Sequence, residues 1–138
     1  MAIIGMGQQL RFTVTSQRGI RMLKIVEKDT RKLAILTLSG DPLGEYDAKL
    51  IREKSHEVAK SGIRHLLFDM NGVLHINSAG LGGLIAALLT MTREGGVVKF
   101  AGVRPNVDKI FSITHLKQIF DIVPSIETAT QQWLNNTT

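Results

Sequence analysis

The chain has 138 residues, 43% hydrophobic and 21% charged, with 13 Gly, 3 Pro and no Cys. That is one domain's length with enough apolar content to bury a core, which excludes disordered and low-complexity classes. The absence of cysteine excludes disulfide scaffolds, cysteine-based zinc or iron–sulfur sites and thiol catalysis, and it suits a reducing cytoplasm.

The net charge of +5 sits at the start of the chain. Residues 1–32 hold seven basic residues (Arg11, Arg18, Arg21, Lys24, Lys28, Arg31, Lys32) against Glu27 and Asp29, and residues 33–138 balance at ten of each sign. A nucleic-acid binder carries its basic face on the folded body, interleaved with aromatics for single strands. Here the body is neutral and its few aromatics are scattered. The basic start therefore reads as a solvated segment and not as a phosphate-binding arm, and no nucleic-acid partner is expected.

Residues 1–21 form a leader without the positive start, long apolar run and small-residue cleavage site of a signal peptide. Within it, Arg11–Thr15 has the composition of a short strand. Regular apolar patterning begins near residue 21. Met22–Val26 and Leu33–Leu38 read as two strands of a hairpin about the polar turn Glu27–Lys32. Gly40-Asp41-Pro42 breaks the chain. Tyr46–Ala59 then sets Leu50, Ile51 and Val58 among charges, an amphipathic helix ended by Ser61-Gly62.

His65–Met70 is a short, mostly apolar run of the kind that forms an interior parallel strand. Residues 70–92 contain no Asp, Glu, Lys or Arg. Their strongly apolar part, Leu81–Met91, is nevertheless too short to cross a bilayer, which takes about 20 residues. It reads as a buried helix, opened by Ser78, running to about Arg93 and stopped by Gly95-Gly96. No membrane association is expected, and the protein should be cytoplasmic. Val97–Ala101 is the next strand, and Pro105 opens a helix through about Ile113. Leu116–Ile122 reads as a last short strand, and Ser125 caps a helix onward to Trp133. The order β-β-α-β-α-β-α-β-α implies a single α/β domain with a mixed, mostly parallel sheet containing one antiparallel pair.

One segment concentrates chemical potential: His75-Ile76-Asn77-Ser78-Ala79-Gly80-Leu81-Gly82-Gly83. It places a hydroxyl at a helix N-terminus, where unpaired N–H groups and the helix dipole favour negative charge. Four readings apply. Asn77 or Ser78 can cap the helix, with the glycines permitting close packing. A nucleophile elbow would need Gly-x-Ser-x-Gly, but Ile76 holds the first glycine's place, leaving Asp108 and His115 as an unsupported acid and base for a small serine hydrolase. A phosphate-cradling loop fits poorly, because Gly80-Leu81-Gly82-Gly83 matches neither nucleotide pattern. The fourth reading is a phosphoacceptor serine, exposed at a position where a phosphate does not melt the helix.

From about Met22 to Trp133 the chain resembles the STAS domain of bacterial anti-sigma factor antagonists. Those proteins carry an opening hairpin with a "G-E-L-D" loop, and a strand leading to "D-S-S/T-G-L-G". A helix, "G-G", a strand and a Pro-led helix follow. This sequence shows Leu38-Ser39-Gly40-Asp41, Leu66-Leu67-Phe68-Asp69 and Asn77-Ser78-Ala79-Gly80-Leu81-Gly82 in step. Gly95-Gly96, Val97-Val98-Lys99-Phe100, Arg104-Pro105 and Asn106-Val107-Asp108-Lys109-Ile110-Phe111 continue the register. The resemblance divides the chain into an extension, residues 1–21, and a STAS domain, residues 22–138.

The resemblance implies a protein–protein switch and no enzyme. In that family the unphosphorylated antagonist captures an anti-sigma factor that is also a serine kinase; phosphorylation ends the capture and a serine phosphatase restores it. The phosphoacceptor falls on Ser78, and the partner-binding set on Asn77, Ser78, Ala79, Gly80 and Asp41. No cofactor or metal is implied. Two positions depart from the pattern: Asn77 stands where the family has Asp, and the family's acid in the second-strand loop falls near Leu43. An interaction module without the phosphoswitch is therefore the alternative within the same fold. The leader matches nothing in the family and is open to reading as an extra strand, a homodimer contact, a flexible arm or the product of an upstream start. His56, His65, His75 and His115 lack metal-ligand spacing and read as surface or strand-edge residues. Asp69, at the end of an interior strand, reads as a loop-bonding carboxylate.

Overall fold

In a computed structural model the described residues are 2–3, 8–14, 20–28 and 30–135, with side chains from Leu23 onward. Seven strands lie in one sheet in sequence order. They are β1 (Ala2–Ile3), β2 (Gln8–Val14), β3 (Ile20–Lys28), β4 (Arg31–Gly40), β5 (His65–Val73), β6 (Val97–Ala101) and β7 (Asp121–Val123). The helices are α1 (Glu45–Lys60), α2 (Ser78–Arg93), α3 (Pro105–Ile113) and α4 (Ile126–Asn135). From β3 onward the order is the expected one: β3 and β4 are antiparallel, and β4, β5, β6 and β7 run parallel. The leader adds β1 and β2, and β2 lies antiparallel to β3 with Gln8 opposite Lys28 and Val14 opposite Met22. Residues 11–14 of the strand expected at 11–15 lie within β2, and Thr15 falls outside the described residues.

Strand order that follows sequence order, combined with crossovers of one hand, sends α1, α2 and α3 to the same face. The core reflects this. Ala34, Leu36 and Leu38 of β4 and Leu66, Phe68 and Met70 of β5 pack with Ile51, Leu84 and Phe111 of the three helices. The alternate residues Leu33, Ile35 and Leu67 point the other way, onto Ala129 and Trp133 of α4. Period-two alternation thus supplies both layers from the same strands. Ser125 caps α4 as expected, its Oγ accepting from Thr128 N at 3.1 Å.

One expected strand is corrected. Leu116–Ile122 divides into a 3₁₀ turn at Leu116–Gln118 and the strand β7. Phe120 N donates to Leu116 O at 2.8 Å, and both side chains are buried. The bond from Phe120 N closes a helical turn in place of strand pairing, and pairing with β6 begins only at Asp121. The hairpin turn is also tighter than expected, with Lys28 and Arg31 already paired.

His65 begins β5, half-buried beneath α4. Burial, then the charges of Arg31 and Lys99, lower its pKa from the ordinary 6.5. The folded protein therefore takes up this proton less readily than the unfolded chain. The His65 contribution leaves stability untouched above pH 6.5 and lowers it as pH falls below. Thermal unfolding of the parent and of His65→Gln at pH 7.5 and 5.5 checks this: the parent should lose more stability on acidification than the variant. Equal losses would show that His65 titrates alike in both states.

Candidate functional site

Two loops meet at the carboxyl ends of β4 and β5. Leu43 and Ile76 form an isolated parallel bridge between them. Leu43 N donates to His75 O at 2.9 Å, Asn77 N to Leu43 O at 3.2 Å, and Leu74 N to Gly40 O at 2.9 Å. The peptide bond between Asp41 and Pro42 is cis. These bonds continue the β4–β5 pairing past the strands, so residues far apart in sequence share one rigid edge.

On that edge Asn77 is the N-cap of α2, its Oδ1 accepting from Gly80 N at 3.1 Å. Asn77 thereby does what an aspartate would do as a cap, without the charge. Ser78 is the first residue of the helix and is exposed. Its hydroxyl makes no hydrogen bond among the described residues and points to no internal task. Ala79 is half-buried and Gly80 buried. A Cβ on Gly80 would stand 2.2 Å from Leu43 O, so this glycine lets the helix start lie directly on the neighbouring loop. Gly83 serves the same purpose a turn later, where a Cβ would stand 2.8 Å from Ala48 Cα of α1.

Asp41 is exposed, and His75 Nδ1 lies 2.6 Å from its Oδ1. Asn106 Nδ2, at the start of α3, lies 3.2 Å from His75 Nε2. A neutral His75 with its proton on Nδ1 satisfies both contacts, donating to Asp41 and accepting from Asn106. Sequence reasoning assigned His75 a bland surface role and passed over Asn106; their separations of 34 and 31 residues from their partners leave no spacing to read. Leu43, near which the resemblance sets the family's acid, is fully buried, and Asp41 two residues before it is exposed. Asp69 accepts from Asn71 N and Nδ2 at 3.0 and 2.8 Å and holds its own loop. Asp108, the acid a hydrolase would need, is paired with Lys117 at 3.1 Å.

Among the described residues no group of His, Asp or Glu is arranged to hold a metal ion, and no helix is long and apolar enough to cross a membrane. The assembled site is an edge carrying an exposed hydroxyl at a helix N-terminus, with the carboxylate of Asp41 displayed on the adjoining loop. Such a surface suits contact with another protein. It offers no general base within hydrogen-bond reach of the serine among the described residues.

The model of the STAS domain matches residues 21–129. The anti-sigma-B factor antagonist of Bacillus subtilis is 30% identical over 86 residues, 62% of this chain and 78% of that protein. Among solved structures, the anti-sigma factor antagonist SpoIIAA in its unphosphorylated form superposes with a TM-score of 0.67 at 17% identity, over 84% of this chain and 99% of that one. The phosphorylated form of the same Bacillus cell fate determinant gives 0.60 at 18% identity, over 80% and 97%.

Proposed function

The chain belongs to the STAS domain family, and on that premise we propose that it is a cytoplasmic anti-sigma factor antagonist switched by phosphorylation at Ser78. Its partner is an anti-sigma factor that is also a serine kinase. The partner docks on the edge made by Asp41, Asn77, Ser78, Ala79 and Gly80, and a serine phosphatase reverses the modification. The observation that carries this reading is the exposed, unpartnered Ser78 hydroxyl at the first position of α2. A phosphate there adds about −1.5 to −2 charge. The helix N-terminus tolerates that charge, whereas a docked protein surface meets it with repulsion and desolvation. One modification therefore leaves the fold standing and releases the partner. The solved phosphorylated form of SpoIIAA supports the idea that this fold accepts a phosphate.

The test uses the cognate kinase-type anti-sigma factor. Ser78→Asp should keep its fold, with stability neutral or raised by about 0.3–1 kcal/mol, and should weaken capture by roughly tenfold, about 1.4 kcal/mol. Ser78→Ala should bind as the parent does and resist phosphorylation. Equal affinity of authentic phospho-Ser78 protein and the parent would refute the switch. The module without a switch would then take its place, a reading favoured by the buried Leu43 near the family's acid position.

A further inference from the structure

His75 joins three segments of the chain through its side chain. Its Nδ1 lies 2.6 Å from Asp41 Oδ1 on the β4–α1 loop, and Asn106 Nδ2 of α3 lies 3.2 Å from its Nε2. We propose that His75 is a positioning residue of the docking edge. It fixes the Asp41 carboxylate and brings the start of α3, through Asn106, into the partner-facing surface. This role rests on the reading of that edge as the place where an anti-sigma factor docks.

Little of this arrangement serves the fold. All three residues are exposed, and the side chains of Asp41 and His75 keep 61% and 58% of their accessible surface. Exposed pairs of this kind contribute little to stability, because water screens them and competes for their hydrogen bonds. Nor is His75 arranged as a base for Ser78. In the neutral ring protonated at Nδ1, that nitrogen donates to Asp41 and Nε2 accepts from Asn106, so no lone pair is left for the serine proton. What remains is a fixed polar arrangement displayed to solvent beside the phosphoacceptor.

The backbone beneath the pair is braced on both sides. Leu74 N donates to Gly40 O at 2.9 Å, joining the residues just before His75 and Asp41, and Leu43 N donates to His75 O at 2.9 Å. The side-chain bond therefore spans two loops already held in register. Asn77 N donates to Leu43 O at 3.2 Å, which ties the same bracing to the cap of α2 and to Ser78 beside it. On the other side, Val107 and Phe111 are fully buried, so α3 presents Asn106 from a rigid element. An unrestrained aspartate on a loop samples several rotamers and loses that freedom on docking. Here Oδ1 is held by His75, and Oδ2, which has no partner among the described residues, is left to accept from the docked protein. Side chains fixed before contact lower the entropic cost of binding.

Two measurements on the full chain test this role. In the free protein, a long-range nitrogen–proton correlation spectrum at alkaline pH should show His75 as the Nδ1–H tautomer, and Asp41→Ala should abolish that preference. Against the cognate kinase-type anti-sigma factor, His75→Phe and Asn106→Ala should each melt like the parent and bind roughly tenfold more weakly. In a double-mutant cycle, Asp41→Ala should weaken binding less in the His75→Phe background than in the parent, because the carboxylate there is no longer held. An Nε2–H tautomer in the parent, affinity indifferent to His75→Phe, or independent losses at Asp41 and His75 would each overturn the inference and leave the docking edge standing. A parent protein that captures no anti-sigma factor would overturn the reading of that edge, and this inference with it.

Discussion

Phe100→Ala should destabilise the protein by about 4 kcal/mol, the upper half of the usual range for removing a buried phenylalanine. Phe100 of β6 is fully buried and stands at the centre of an aromatic cluster. It stacks on Phe120 at 4.3 Å and on Phe68 at 5.3 Å, and meets Phe111 edge-on at 6.2 Å. Truncation forfeits three ring contacts and leaves a cavity between α3 and the sheet that rigid neighbours cannot fill. For a chain of this length the loss corresponds to a fall in thermal midpoint of roughly 15 °C. Ile113→Ala, in the same region but 64% exposed, should stay within about 0.5 kcal/mol. A small effect at Phe100 in a thermal or denaturant melt would mean that the cluster repacks.

Gly80→Ala should cost about 3 kcal/mol, the overpacking range at its upper end. The added methyl would stand 2.2 Å from Leu43 O and 2.9 Å from Ile76 Cγ1. A backbone carbonyl cannot swing aside as a flexible side chain can. Relief requires the first turn of α2 to lift from the β4–α1 loop, breaking the bond from Asn77 N to Leu43 O. The same displacement would move Ser78, so partner capture should fall together with stability. Gly82→Ala is the control within the same helix. Its Cβ would meet only Arg52 Nη2 at 3.7 Å, an ordinary contact. There the higher helix propensity of alanine should raise stability by up to about 1 kcal/mol. Opposite signs at two glycines two residues apart, read in parallel urea melts, separate close approach from propensity. Equal signs would show that the loop contact at Gly80 is soft.

The candidate site was half legible in the linear chain. Asn77-Ser78 could be read as a cap and an exposed hydroxyl because capping depends on three or four consecutive residues, and α2 does begin at Ser78. The surroundings of that hydroxyl could not be read. His75 was assigned a bland surface role because nothing in its neighbours announces Asp41 or Asn106. Leu43 reads in the sequence only as a departure from the family's acid, whereas the parallel bridge to Ile76 turns it into the core.

The order of strands and helices, the hairpin, the breaks at Gly40-Asp41-Pro42 and Gly95-Gly96, and the caps at Asn77 and Ser125 were determined by sequence alone. Each follows from periodicity or from the backbone preferences of residues only a few positions apart. Tertiary structure decided what those elements bring together. It folded Leu116–Gln118 into a 3₁₀ turn ahead of β7, with Leu116 and Phe120 both buried in the core beneath the helices. It set Gly80 beneath a carbonyl 37 residues earlier in the chain. It joined Asp41, His75 and Asn106 at one end of the sheet, and Arg31, Lys32 and Arg64 at the other. The reason lies in the parallel β4–β5 pairing. Parallel neighbours need a long crossover, so the residues that meet at either end of the sheet are separated by a whole helix, and no local pattern encodes their contact.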